Sequence, residues 1–331
     1  MTQINREKLI RFNFHLFSRY RTELMGLSAM GIIACHTYAN GVVMPGWLWQ
    51  FFSLGQLGVS VFFFLSGMGI WFSLREIQFE RGGVMYWYSR RFKKLFVPFL
   101  ILALPFFAWQ TISEGKNLWF FISRITTIEF WISGGGAWFV SVLVALYLIS
   151  PWWEWLLCRT GLRTFLSAIA FLLVLCFGGF VMNHSSEICF YFMGFWTAQY
   201  VQEDHSIRWL PIIAGTLALY FVFRFIPQLQ FFPRSVFLVP LFVILPCLFF
   251  ELSWTKSISR ICGFMGNISL ESYLTNVFLP SFFVQAAWIN VHPLLNKGNW
   301  FGYFLVVVVG ITLAWLVHQL SNKILSKTQK K

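Results

Sequence analysis

Two ionisable side chains lie inside apolar stretches of the chain, His36 within residues 23–43 and Glu271 within residues 261–283. His36 follows Arg21 by 15 residues, which is about 22 Å along a helix that rises 1.5 Å per residue. Burying such a group in hydrocarbon costs about 2.5–3.5 kcal/mol on insertion scales, so each one predicts a function or a partner. For His36 the alternatives are proton-transfer chemistry and a neutral imidazole that hydrogen-bonds to a neighbouring helix.

Glu271 stands in the middle of a polar stripe. On a helix, Asn267 and Thr275 share its i, i+4 row, and a neighbouring row holds Ser269, Ser272 and Asn276. Ordinary hydrogen bonding between helices could explain the stripe. A buried carboxylate must nevertheless find a partner or keep its proton, so Glu271 is a second candidate functional residue.

A basic cluster precedes another apolar stretch. Its four cations within five residues are Arg90, Arg91, Lys93 and Lys94. At a membrane face such a cluster can bind phosphate groups of a soluble ligand or of lipid headgroups. The alternative is that it only fixes the orientation of the chain in the membrane.

The composition indicates the setting in which these residues act. Of the 331 residues, 58% are hydrophobic and only 11% are charged, and the mean hydropathy is +0.67. A soluble globule could not cover its surface with so few charges, and disorder and disulfide scaffolds are excluded as well. The net charge of +13 fits basic cytoplasmic loops, so no nucleic-acid partner is expected. The six cysteines have no metal-like spacing, and no metal site is predicted.

The apolar runs predict an all-α fold, a polytopic membrane helical bundle of about ten transmembrane helices. The predicted spans are residues 23–43, 56–74, 95–112, 137–153, 164–182, 187–201, 209–226, 233–251, 261–283 and 300–322. They form a single transmembrane domain, 23–322. A basic amphipathic segment, 1–22, precedes it, and a basic tail, 323–331, follows it.

The basic residues predict that both termini are cytoplasmic. Only five of the 25 Lys and Arg residues fall outside the segments then placed in the cytoplasm: Lys116, Arg124, Arg224, Arg234 and Lys297. Residues 118–133 are apolar, but a crossing there would invert every later loop. We therefore predict that they form an interfacial or re-entrant element, followed by a glycine hinge at 134–136.

Several segments, taken in order, resemble one family. The most specific is GVSVFFFLSG at 58–67, and the others are ELMGL through His36, RRFKKLFVP at 90–98, the span that begins at Trp138, and ISLESYL at 268–274. Together they resemble the integral-membrane acyltransferase-3 family, whose members O-acylate sugars of cell-surface polysaccharides. Two positions depart from its pattern. Met25 stands where many members have Arg, and Asn276 stands where many have His.

The resemblance implies an acyl-CoA co-substrate, with acetyl-CoA favoured, and no bound cofactor. It implies a sugar hydroxyl of a cell-surface or lipid-linked glycan as acceptor, in the inner cell membrane and among its lipids. The basic cluster would bind the CoA phosphates, helped by Arg19 and Arg21, which are candidates to replace the charge missing at position 25.

His36 would act as a general base or accept the acyl group itself, and Glu271 would orient it if the ninth span packs on the first. Candidates for contact with the acceptor or for support of the site are Ser66, Trp138, Tyr273 and Asn276. The competing hypothesis is a transporter or flippase for a glycolipid or small anionic solute. The two halves of the chain lack the inverted pattern of broken spans that transporters often show.

Overall fold

The computed structural model describes residues 11–77, 83–181, 185–226, 234–285 and 300–329, which are almost entirely helical. The N-terminal residues 1–10, the predicted cytoplasmic Arg81 and the last two residues of the tail lie outside this part of the chain. The described helices are α1 His15–Arg19, α2 Arg21–Ala39, α3 Gly46–Ser53, α4 Leu57–Ile77, α5 Gly83–Ser113, α6 Leu118–Ile125, α7 Ile128–Ser133, α8 Trp138–Thr160, α9 Arg163–Val181, α10 Ser185–Gln202, α11 Trp209–Phe225, α12 Val239–Phe250, α13 Lys256–Asn267, α14 Ser269–Gln285 and α15 Trp300–Gln329.

Every predicted span contains helix, and several helices have the length and hydropathy of membrane spans. Four helical stretches in the described chain meet both criteria: Gly46–Ile77, Gly83–Ser113, Trp138–Thr160 and Trp300–Lys327. A bent pair, Val236–Phe250 with Ser253–Asn267, would make a fifth. The protein is thus an all-α membrane protein, and the count of ten spans stays a prediction.

The predicted ninth span, 261–283, is wrong as one continuous helix. The chain turns at Ile268, so that α13 ends at Asn267 and α14 begins at Ser269. The helical pair that ends in α13 is itself bent by 95°. Asn267 therefore does not belong to the helix that carries Glu271, and the polar stripe is shorter than the sequence pattern indicated.

Residues 118–133 do not form a helix long enough to cross a membrane, in agreement with the sequence. They form α6 and α7, and between them Thr127 adopts a left-handed conformation with φ of 62°. Gly134 ends α7 with φ of 75°, a conformation that glycine adopts without strain. The interfacial location of this element stays a prediction.

A short β-ribbon near the N-terminus was not predicted. Strand β1, Arg11–Asn13, pairs antiparallel with β2, Ser206–Arg208, and Asn13 donates a hydrogen bond to Asp204. The aromatic side chains of this segment, Phe12, Phe14 and Phe17, are buried in the protein. These three side chains therefore do not belong to the apolar face with which the N-terminal segment was predicted to lie on the membrane.

The chain divides into two compact units. Unit 1 contains 1–32, 53–75 and 154–267, and unit 2 contains 33–52, 76–153 and 268–331. In unit 1, α2 and α13 cross with their backbones in contact, because a Cβ atom at Gly26 or Gly266 would overlap the carbonyl group of the other helix. In unit 2, α14 packs against α15 and α5.

Candidate active site

Helix α14 places its side chains against several neighbouring elements of unit 2. The Tyr273 ring packs on Phe139 of α8, with centroids 5.1 Å apart, and Phe278 stacks on Phe106 of α5 at 4.7 Å. The polar residues of α14 lie on its other faces. Residues one helical turn apart share a face, so their spacing along α14 determines which of them meet the same neighbour.

Asn276 hydrogen-bonds to His36. The amide nitrogen of Asn276 lies 2.7 Å from Nδ1 of His36, across 240 residues of sequence. Asn276 is buried and His36 is half-buried in the last turn of α2. No described residue hydrogen-bonds to the other ring nitrogen, Nε2.

The end of α2 that carries His36 is fixed by two further hydrogen bonds. Tyr303 of α15 donates its hydroxyl proton to the carbonyl oxygen of Ile33, with a distance of 2.6 Å between the oxygens. The side-chain amide of Asn40 donates to the carbonyl oxygen of His36 at 2.8 Å. Together they orient the backbone that presents the imidazole.

Glu271 does not contact His36, so its predicted role of orienting that imidazole is wrong. Its carboxylate lies 3.0 Å from Nδ1 of His318 on α15, and Nε2 of His318 lies 2.9 Å from the amide nitrogen of Asn322. The physical reason is helical geometry. Glu271 and Asn276 are five residues apart, which is about 140° around a helix of 3.6 residues per turn, so they face different neighbours.

The basic cluster lies in the third and fourth turns of α5. Lys93 and Lys94 are exposed, and Arg90 and Arg91 are half-buried. Neither Arg90 nor Lys93 forms an ion pair with a carboxylate of the described residues. This part of α5 is held by its aromatic residues, since Tyr88 donates a hydrogen bond to the carbonyl of Leu148 and stacks on Phe92. Arg90 and Lys93 are therefore accessible to an anionic ligand.

A family model for the acyltransferase domain of the acyltransferase-3 family matches residues 24–319. The chain belongs to this family. The match begins in α2 and ends in α15, so it includes His36, the basic cluster and all of α14. No match was found among curated proteins or among solved structures. The protein is therefore a membrane acyltransferase, and this membership disfavours the transporter hypothesis.

In this acyltransferase, the two arginines near Met25 have partners within unit 1. Arg19 forms an ion pair with Glu251, with 2.8 Å between the charged atoms, so it needs no phosphate group to balance its charge. Arg21 donates from Nε to the carbonyl oxygen of Leu65, and a side chain at Gly69 would collide with its guanidinium group. Arg21 lies one turn before Met25 on the same face of α2, and its role as the substitute for the missing charge stays a prediction.

Tyr20 joins the Arg19–Glu251 pair. Its hydroxyl donates a hydrogen bond to the Glu251 carboxylate, with 2.6 Å between the oxygens. Burial, together with this carboxylate, raises the pKa of Tyr20 to about 12. Tyr20 therefore stays protonated at neutral pH and remains a hydrogen-bond donor to Glu251.

The other predicted site residues are divided between the units. Ser66 is half-buried on α4 in unit 1, whereas Trp138, the first residue of α8, is half-buried in unit 2 beside Phe139. Unit 2 thus holds His36, Asn276, Tyr273 and Trp138. The described residues include no group of three or more His, Cys, Asp or Glu side chains that could hold a metal ion.

His318 is the residue that sequence analysis missed. It lies inside the last predicted span, 300–322, where the rule that selected His36 also applies. Its partner Glu271 is 47 residues away in sequence, and no spacing pattern connects the two. A uniform application of the rule for intramembrane charges would have found His318 as well as Glu271, but not that the two side chains form a pair.

Proposed function

We propose that this acyltransferase moves an acyl group, favouring acetyl, from acyl-CoA to a hydroxyl group of a cell-surface or exopolysaccharide sugar, with His36 as general base. The contact between His36 and Asn276 carries this proposal, because a hydrogen bond to Nδ1 holds the ring while Nε2 faces no described donor. An oriented neutral imidazole is the commonest general base in enzymes.

The hydrogen-bond direction determines which nitrogen is basic. In the structure, Nδ2 of Asn276 faces Nδ1 of His36. A half-turn of the amide about the Cβ–Cγ bond would place Oδ1 there instead. With the oxygen there, Nδ1–H donates to Asn276 and Nε2 keeps its lone pair for the substrate. The opposite arrangement would leave the only lone pair of the neutral ring covered by the amide. Base catalysis therefore requires the arrangement in which Oδ1 accepts.

The proposed reaction balances without a further reactant. The acceptor oxygen attacks the thioester carbonyl, a C–O bond forms and the C–S bond breaks. His36 takes the hydroxyl proton at Nε2 and returns it to the departing sulfur, so that free CoA leaves as the thiol. An alternative route transfers the acyl group first to Nε2 and then to the sugar. Both routes need the same free nitrogen.

The donor is proposed to bind at the basic cluster. Arg90, Arg91, Lys93 and Lys94 offer the charge-assisted hydrogen bonds that phosphate oxygens accept. In the proposed orientation, with ten spans and both termini in the cytoplasm of the inner cell membrane, this cluster faces the compartment that contains acyl-CoA. Lipid-linked glycan and membrane lipids complete the proposed partners.

The test uses purified protein with radiolabelled acetyl-CoA, with and without a glycan acceptor. We expect label on the glycan in the wild type and a loss of at least about 100-fold in His36→Ala, the lower end for removal of a positioned base. His36→Gln keeps most of the volume but cannot accept a proton at neutral pH, so it should be equally inactive. Full activity of the Gln variant would contradict the assignment.

Label bound to the protein when no acceptor is present separates the two routes. An acyl-His36 intermediate predicts acid-labile label on the wild type and none on His36→Gln. Direct transfer predicts no label on either protein. Transport of an anionic solute without any acyl transfer would instead support the transporter hypothesis.

A further inference from the structure

A second imidazole contacts a buried carboxylate on a different face of α14 from the one that meets His36. The Glu271 carboxylate is 5% exposed and accepts from Nδ1 of His318 at 3.0 Å. The proposed reaction does not use either group. We propose that His318 is a positioning residue: by satisfying Glu271 it holds α14 in the rotation that places Asn276 against His36.

The contacts of His318 make a directed chain of hydrogen bonds. The Asn322 amide donates to Nε2, and Nδ1–H donates to Glu271. Asn322 is one turn from His318 on the same helix, so α15 alone fixes the orientation of the ring. The chain ends on Glu271 in the first turn of α14, and it therefore ties that turn to α15.

The surroundings of Gly310 show that α14 and α15 also pack closely one to two turns away from the Glu271–His318 pair. A Cβ atom at Gly310 of α15 would lie 3.5 Å from the Thr275 hydroxyl of α14. Thr275 is one turn after Glu271, and Gly310 is two turns before His318, so the contacts follow one antiparallel seam. Glu271 is the charged point of this seam.

Removing His318 would leave the buried Glu271 carboxylate without its side-chain donor. Such a group takes a proton or moves to a new partner, because an uncompensated buried charge is strongly unfavourable. Movement of Glu271 turns α14. A side chain about 6 Å from the helix axis moves about 2 Å when the helix turns by about 20°.

A movement of that size is enough to separate Asn276 from His36. Their nitrogens are 2.7 Å apart, and a hydrogen bond is lost beyond about 3.5 Å. His318 of α15 packs on a different face of α14 from the one that carries Asn276. It therefore acts through α14 rather than on the substrate. This inference rests on His36 and Asn276 being the site of the proposed function.

The test compares two substitutions at one position. His318→Gln keeps an amide N–H that can donate to Glu271, whereas His318→Leu does not. We expect kcat of the Leu variant to fall about 4- to 13-fold, within the range for loss of the one hydrogen bond between Asn276 and His36, with the KM for acyl-CoA unchanged. The kcat of the Gln variant should stay within about threefold of wild type. Adding Glu271→Gln to the Leu variant removes the stranded charge and should recover most of the lost kcat.

A matched control comes from unit 1. His205 also lies 3.0 Å from a carboxylate, that of Glu203, but both side chains are more than half exposed. His205→Leu should therefore leave kcat unchanged. This control shows whether a fall in kcat requires loss of a buried histidine–carboxylate pair or follows loss of any such pair.

A spectroscopic readout makes the inference independent of activity. In protein labelled with ¹⁵N-histidine, the His36 signal is identified by its absence in His36→Gln. We expect the His36 Nδ1 shift to move in His318→Leu and to return in the variant that also carries Glu271→Gln. An unchanged His36 signal in His318→Leu would overturn the positioning role, as would equal inactivity of the Leu and rescued variants. Absence of acyl transfer in the wild type would refute the proposed function and leave this spectroscopic test in force.

Discussion

Replacing Asn276 tests both the partner of His36 and the direction of their hydrogen bond. Asn276→Leu keeps nearly the same side-chain shape but removes both amide atoms. Asn276→Asp keeps an oxygen that can accept from Nδ1–H of His36. If Oδ1 is the atom that faces the ring during catalysis, Asp should sustain the reaction and Leu should not.

The magnitude follows from the single hydrogen bond at 2.7 Å. A typical intramolecular hydrogen bond contributes about 0.5–1.5 kcal/mol, and 1.36 kcal/mol corresponds to a tenfold change in rate. We therefore expect kcat of Asn276→Leu to fall between about twofold and 13-fold. Asn276→Asp should stay within about threefold of wild type, because the acceptor atom is retained.

The assay is transfer of radiolabelled acetyl groups from acetyl-CoA to glycan, with kcat and both KM values measured separately. Because Asn276 acts through His36, its substitution should cost nothing further once His36 is replaced. The double variant His36→Ala with Asn276→Leu should thus equal His36→Ala alone.

Two results would refute this reasoning. If Asn276→Leu retained wild-type kcat, the contact with His36 would be irrelevant to the reaction. If Asp were as impaired as Leu while both proteins remained folded, the amide N–H rather than the oxygen would be the required atom. Nδ1 would then be the acceptor, and Nε2 could not be the base.

Three further predictions concern the donor, a helix crossing and the topology. Arg90→Ala with Arg91→Ala should raise the KM for acyl-CoA while membrane insertion is unchanged; an unaltered KM would assign the cluster to orientation alone. Gly266→Ala should lower the thermal unfolding midpoint in detergent by the equivalent of about 1–3 kcal/mol, because its Cβ would meet the backbone of α2. Gly263 is the control on the same helix, because a Cβ atom there would have no neighbour within 4 Å, and Gly263→Ala should raise the unfolding midpoint slightly. Equal midpoints of the two variants would contradict the close crossing of α2 and α13. A reporter fused after residue 160 should read cytoplasmic, and an external reading would mean that residues 118–133 cross the membrane.

The sequence alone predicted much of the local structure. Apolar runs of sufficient length predicted a helix in each of the ten spans, because a membrane leaves the backbone few alternatives to a helix. The short polar interruptions at Arg124 and Glu129 indicated that 118–133 is not a span, and the structure has two short helices there. His36 was recognised because an imidazole inside an apolar run stands out regardless of its partner.

The tertiary structure decided the partners. His36 meets Asn276 rather than Glu271, and Glu271 meets His318, because a break at Ile268 and the rotation of α14 determine which face each polar residue presents. The same holds for β1, whose partner strand is almost 200 residues away. Local sequence encodes the preference of a residue for helix and for burial. Which side chain lies opposite it depends on how separate helices pack, and that is a property of the whole chain.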